Sequence, residues 1–252
     1  MKLISKPIWY LVIFLLLIFY SENLFSQMPP WLNLTDGRFI TSLVDDGNNI
    51  WIGTQSGGIS RLQKSNNNWF YYNKANSNLP DNFINDLAID ANGYKWIATK
   101  NKGLVRFDGS NWVNYNTTNS DIPSNNVSSV AVDSRNYIWV GTDNGLASYN
   151  GSNWTIFNTG NTPLLSNLIF DVAAEDSIIW VGSPHGAYRY DGTLWQNYNT
   201  LNSGIPDMLI LYVAIDQDDN KWFGTKVGGA AMFDDNNWTV YNTSNSSIPS
   251  NE

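Results

Sequence analysis

The sequence predicts an all-β protein made of small four-stranded antiparallel sheets, and three observations predict it. One block, Trp-apolar-Gly/Ala-Thr/Ser, recurs at Trp51, Trp96, Trp139, Trp180 and Trp222, at spacings of 45, 43, 41 and 42 residues. A second tryptophan follows each time, at Trp69, Trp112, Trp154, Trp195 and Trp238, with an aromatic three residues later. Between the blocks lie turn formers such as Asp108-Gly109, Asn150-Gly151 and Asp191-Gly192, which supply the positive φ of tight hairpins. A repeat of about 40–50 residues built of short strands and turns is a β-propeller blade. Five repeats are present, at about residues 40–73, 84–116, 127–159, 169–200 and 210–243, with the start of a sixth.

The N-terminus comes first. Lys2 and Lys6 precede an apolar run from Ile8 to Tyr20, and Ser26 stands before Gln27. Thirteen apolar residues fall short of the roughly 20 that a spanning helix needs. A basic start, a short apolar core and a small residue make residues 1–27 a secretory signal peptide, to be cleaved rather than kept as an anchor. Residues 28–252 are then the propeller domain, which implies export to the periplasm or beyond and no stable membrane insertion.

The third repeat shows how one blade is written. Val127 to Asp133 is a strand, Tyr137 to Thr142 a second, Gly145 to Tyr149 a third and Trp154 to Phe157 a fourth, with polar turns between them. In the first strand Val130 and Val132 share one face while Ser129 and Ala131 share the other; Leu87 and Ile89 against Ala88 repeat this. The innermost strand needs one slim face because blades crowd toward the axis. In the fourth strand the pairs Trp69/Tyr72, Trp112/Tyr115, Trp154/Phe157, Trp195/Tyr198 and Trp238/Tyr241 are three apart, hence on opposite faces. A large ring on both sides suits a sheet held between two neighbours; a two-layer sandwich would leave one side wet.

At the ends the pattern is ragged. Ser247-Ile248-Pro249-Ser250-Asn251-Glu252 copies Asp121-Ile122-Pro123-Ser124-Asn125-Asn126, the lead-in to the third blade. Trp31-Leu32-Asn33-Leu34 stands where a fourth strand would precede the first inner strand, as a closing strand would. The expectation is a longer propeller truncated at its C-terminus.

Composition narrows the function. Without residues 1–27 the chain keeps 12 basic and 21 acidic residues, a net charge of −9, which repels nucleic acid and anionic lipid. There is no cysteine and one histidine, His185, so neither a Cys/His nucleophile pair nor a multi-histidine metal site can form. No G-x-S-x-G elbow accompanies His185. Asp216-Gln217-Asp218-Asp219-Asn220 looks like the start of a calcium loop but lacks its Gly and closing Glu, so it reads as a hairpin turn. No cofactor, metal or catalytic residue is expected.

The string from Asp133 to Trp154, D-x-x-x-x-x-W-[IV]-G-T-x-x-G-L-x-x-[FY]-[DN]-G-x-x-W, resembles the two-component regulator propeller repeats of bacteria; Asp90 to Trp112 and Asp216 to Trp238 follow it with small departures. Ala98 replaces the block Gly, and Ser183-Pro184-His185 the usual polar turn. The resemblance covers nearly all of residues 31–252. It implies either the periplasmic sensor half of a hybrid histidine kinase responding to glycans, or a secreted protein. No kinase, response regulator or sorting domain is written in this chain, so that signalling role does not transfer with the fold.

Positions that vary among otherwise identical blades are free for function. The turns between second and third strands vary: Gln55, Lys100 and Asn101, Asp143 and Asn144, His185, and Lys226. Their mixed charges and amides suit a polar small molecule or a glycan, although any hairpin turn is polar. The reading is an exported, non-enzymatic binding module for such a ligand or for a protein partner. The alternatives are a propeller lyase or hydrolase, and an adhesive surface protein with a downstream sorting domain.

Overall fold

The computed structural model describes residues 39–252. The segments called signal peptide and closing strand, including Trp31, lie outside the described residues. Twenty strands form five antiparallel sheets in chain order. Blade 1 holds β1 (Ile40–Asp45), β2 (Asn49–Thr54), β3 (Ile59–Gln63) and β4 (Asn68–Tyr72). Blade 2 holds β5 (Ile84–Ile89), β6 (Lys95–Thr99), β7 (Leu104–Phe107) and β8 (Trp112–Tyr115). Blade 3 holds β9 (Val127–Val132), β10 (Ile138–Thr142), β11 (Gly145–Tyr149) and β12 (Trp154–Phe157). Blade 4 holds β13 (Asp171–Glu175), β14 (Ile178–Ser183), β15 (Gly186–Tyr190) and β16 (Trp195–Tyr198). Blade 5 holds β17 (Ile210–Ile215), β18 (Lys221–Thr225), β19 (Ala230–Phe233) and β20 (Trp238–Tyr241).

The turns obey the chemistry of positive φ. The first hairpin of each blade carries one such residue, Gly47, Gly93, Asn136, Asp176 or Asp219, and the third hairpin another, Asn67, Gly109, Gly151, Gly192 or Asp235. Glycine, asparagine and aspartate tolerate the left-handed region best. A carboxylate then locks the first hairpin to its blade. The indole Nε1 of Trp51 donates to Asp46 at 2.7 Å, Trp96 to Asp90 at 2.9 Å, Trp139 to Asp133 at 3.0 Å, Trp180 to Glu175 at 2.9 Å and Trp222 to Asp216 at 2.8 Å. In blades 1–4 the tryptophan is thus buried with its one polar atom satisfied, and the calcium-like run at Asp216 is one of these hairpins.

Blades are joined by a four-ring clamp. Between blades 1 and 2, Trp51 stacks on Tyr72 of its own blade (5.8 Å) and meets Phe107 edge-on (6.0 Å); Phe107 in turn stacks on Trp112 (4.1 Å). The same clamp is built by Trp96, Tyr115, Tyr149 and Trp154, by Trp139, Phe157, Tyr190 and Trp195, and by Trp180, Tyr198, Phe233 and Trp238. The three-residue spacing in the fourth strand does this work, giving one ring to each neighbour. Main-chain bonds add a second seam: the amides of Gly58, Gly103, Gly145 and Gly186 donate to Asn82, Asn125, Asn167 and Met208 in the lead-in to the next blade. A side chain is excluded there, since a Cβ on Gly103 would stand 2.1 Å from the Tyr115 carbonyl, at a φ of +88°.

The clamp is half-built at both ends of the described array. Trp222 stacks on Tyr241 at 5.5 Å with no ring from a following blade among the described residues. Leu43 of β1 is 58% exposed, whereas its equivalents Leu87, Val130, Val172 and Val213 are 4–7% exposed. The lead-in that would follow blade 5 is nonetheless docked, with the Gly229 amide on the Asn251 carbonyl at 2.9 Å.

Burying one indole removes about 150–250 Å² from water, so a complete clamp contributes several kcal/mol to its interface. Trp139→Ala is expected to cost about 3–5 kcal/mol, and Trp222→Ala, in the half-built clamp, markedly less. Denaturant melts of the two variants check the ranking; equal losses would contradict it.

Candidate functional site

The inner strands align residue by residue. Their second positions are Thr41, Asn85, Ser128, Phe170 and Leu211; their third are Ser42, Asp86, Ser129, Asp171 and Tyr212. Because each inner strand packs on the preceding one, from β1 to β5, β9, β13 and β17, these side chains converge on the axis. The second-position residues, together with Ile40, Gln55, Phe83 and Tyr212, line a cavity of about 430 Å³ at one end of it.

Three of the five second-position residues are committed to the scaffold. Thr41 Oγ1 donates to the Ile84 carbonyl at 2.6 Å, Asn85 Nδ2 to Val127 at 2.6 Å and Ser128 Oγ to Ile169 at 2.7 Å, each reaching the next inner strand. Phe170 and Leu211 break this series, having no side-chain donor. Tyr212 breaks the other, placing an aromatic that is 71% exposed where the equivalents are short and polar. The mouth therefore has a polar side from blades 1–3 and an apolar, aromatic side from blades 4 and 5. Phe83 adds a further ring, with the Lys100 ammonium 4.6 Å from its centre.

Of the residues singled out in the second-to-third-strand turns, Gln55 lines the cavity and Lys100 lies against a lining residue. The others are tied to neighbouring chain. Asn101 donates its amide to Asp81 at 3.1 Å, Asp143 accepts from Asn126 at 3.0 Å, and Asn144 donates to the Pro123 carbonyl at 3.1 Å. His185 engages through its main chain, to Ser183 and Asn197, and Lys226 pairs with Glu252 at 2.6 Å. Phe83, Phe170, Leu211 and Tyr212 were missed in the sequence because each occupies an apolar-looking strand or its edge. A signal was there for Phe170, Leu211 and Tyr212, which break the polar pattern of the equivalent positions in the other blades.

Beneath the mouth the third-position groups form a hydrogen-bonded chain. Ser42 Oγ donates to Asp86 Oδ1 at 2.8 Å, and Asp86 Oδ2 accepts from the Val130 amide at 2.9 Å. Ser129 Oγ lies 3.0 Å from Asp86 Oδ2 and 2.6 Å from Asp171 Oδ1, and Asp171 Oδ2 accepts from the Val213 amide at 2.7 Å. Burial pushes both carboxyls up from their ordinary range, Asp171 to about 6, with the charge of Asp86 adding to the rise there. Hairpin carboxylates go the other way: hydrogen bonds from Trp222 and Asn220 hold Asp216 down at about 2. Among the described residues no group of three or more His, Asp or Glu side chains could hold a metal ion.

Residues 121–144, which run from the lead-in of blade 3 through its second strand, match the model of the two component regulator propeller. Over that segment the chain is similar to one such repeat. Among solved structures the propeller is similar to the extracellular domain of BT4673 from B. thetaiotaomicron, described as a hybrid two component system, at 23% identity and a TM-score of 0.63 over 77% of this chain and 27% of that one. It is similar to the corresponding domain of BT3049 from the same organism at 24% identity and a TM-score of 0.62, over 84% and 35%. It also shares its fold with virginiamycin B lyase from Staphylococcus aureus, at 13% identity and a TM-score of 0.66 over 85% and 72%. The chain thus spans about a third or less of the two extracellular domains. No curated protein matches the sequence.

Removing a staple from this propeller repeat leaves a carbonyl unpaired at the axis. Ser128→Ala is expected to cost about 1 kcal/mol, while Phe170→Ser, which restores the polar pattern of blades 1–3, costs no more than that. Thermal melts check both; a Phe170→Ser variant that unfolds readily would make Phe170 a scaffold residue.

Proposed function

We propose that this protein is an exported, non-enzymatic propeller module that binds a polar ligand of the glycan class at the axial mouth, in a two-component-type sensing system. The observation that carries this reading is the departure of Phe170, Leu211 and Tyr212 from the polar pattern that stitches the other inner strands together. Tyr212, on the open face of blade 5, brings an aromatic ring to the lining of the mouth. A sugar ring has an apolar C–H face and an edge of hydroxyls, which suits a mouth with an aromatic side and an amide-bearing side. Tyr212, Phe170 and Phe83 would stack on the ring, while Gln55 donates or accepts and the Asn85 amide oxygen accepts at its edge, and Lys100 is in reach of an acidic substituent.

Export is supported by the N-terminal sequence and by the similar domains, which are extracellular in their own proteins. The net charge of −9 disfavours nucleic acid and anionic membrane as partners.

Calorimetric titration of the purified protein against a panel of neutral and acidic oligosaccharides tests the proposal. At least one member is expected to bind, with affinity reduced ten-fold or more by Tyr212→Ala or Phe170→Ser at unchanged melting temperature. Binding that survives both substitutions, or cleavage of the oligosaccharide on incubation, would overturn it.

A further inference from the structure

The chain of polar groups on the axis is one hydrogen short. Ser129 Oγ accepts the Val172 amide at 3.1 Å and carries a single hydrogen, yet it lies within bonding distance of both Asp86 Oδ2 and Asp171 Oδ1. With both carboxylates ionised, one of these two oxygen–oxygen contacts has no hydrogen in it and is repulsive. A single added proton completes the set. Asp86 already receives four donors, from Ser42, Ser129 and the amides of Leu87 and Val130, and so suits the carboxylate form. The proton then belongs on Asp171 Oδ1, from where it donates to Ser129, while Ser129 donates to Asp86 and Asp171 Oδ2 keeps the Val213 amide.

Among the described residues no cation pairs with Asp86 or Asp171. β5 packs against β1, β2, β6 and β9, and β13 against β9, β10, β14 and β17. Titratable groups on these strands are few. Asp45 of β1 is paired with Lys64, Lys95 of β6 with Asp46, and Glu175 at the far end of β13 with Lys221. Only Tyr212 of β17 remains; β2, β9, β10 and β14 carry no titratable side chain. Asp86 and Asp171 thus face each other across Ser129 and little else that is charged.

We propose that the Asp86–Ser129–Asp171 bridge is a proton-operated clasp: one proton shared across it ties the inner strands of blades 2, 3 and 4 together, and its departure loosens the axis. The bridge reaches every described blade, since Ser42 joins it from blade 1 and the Val213 amide from blade 5. The clasp concerns the cohesion of the scaffold and stands independently of any ligand at the mouth.

The sign of the effect follows from linkage. An unfolded aspartate titrates near 3.8, while Asp171 in the folded chain titrates at about 6, so the folded state holds the proton longer. The stabilisation is complete below about pH 4 and is lost as pH rises to about 6. Carboxylates held low, such as Asp216, act in the opposite sense and only below about pH 4. A window from pH 4.5 to 7.5 therefore isolates the clasp.

Melting temperatures of the full chain across that window are the test. The wild type is expected to lose about 5 °C as pH rises. Asp171→Asn supplies a permanent donor to Ser129 and is expected to lose clearly less than the wild type over the window. A wild-type melting temperature that is constant or rises with pH, or a variant that falls as steeply as the wild type, overturns the proposal. Should the variant fail to fold, carbon-detected NMR of the wild-type carboxyl groups decides. One aspartate carboxyl signal must move near pH 6; if every carboxyl has finished titrating by pH 5, the clasp does not exist.

Discussion

An indole pinned between two sheets is the interaction on which this fold depends. Each inner tryptophan of blades 1–4 is held by three groups at once: a carboxylate at the preceding hairpin takes its N–H, a tyrosine or phenylalanine of its own blade covers one face, and a ring of the next blade meets it edge-on. A short four-stranded sheet cannot bury enough surface alone to offset the entropy of ordering its chain. The clamp solves this by burying both faces of every internal sheet. Hairpin turns, slim inner strands and glycines at the seams all serve to let neighbouring sheets approach closely enough for it to close.

Since the clamp sits between the outer and middle strands, the inner strands are left with a lighter structural duty. Their second and third positions need only reach across to the next blade, and a hydroxyl or amide suffices, as Thr41, Asn85 and Ser128 show. Such positions can change at little cost, and in blades 4 and 5 they have changed, to Phe170, Leu211 and Tyr212. Variation at the mouth and constancy at the clamp are two sides of one division of labour. The same economy exposes a weakness on the axis, where Asp86 and Asp171 occupy positions that a serine fills in blades 1 and 3. Two acids linked through one hydroxyl carry a dependence on proton activity that a ring of serines would lack.

Likeness of fold does not select among functions here. Extracellular domains described as parts of hybrid two component systems and a lyase share this architecture with the chain at identities of 13–24%. What distinguishes one propeller from another is the chemistry at its axis, and in this chain that chemistry is an amphipathic mouth above a pair of acids.

The sequence by itself determined the repeat, the strand order within a blade and the role of the paired aromatics, because period-two alternation, turn residues and tryptophan spacing are local properties that any blade must satisfy. The strands of blade 3 fall at Val127–Val132, Ile138–Thr142, Gly145–Tyr149 and Trp154–Phe157, within a residue of their sequence limits. Only the tertiary structure decided which variable positions face one another. Asp86 and Asp171 are 85 residues apart and meet across Ser129 only because successive inner strands turn about a common axis. Turn residues such as Asn101, Asp143 and Asn144, which look free in the sequence, are bonded to lead-in segments some 17–21 residues away. Convergence of that kind is set by the curvature of the whole array, and no local pattern records it.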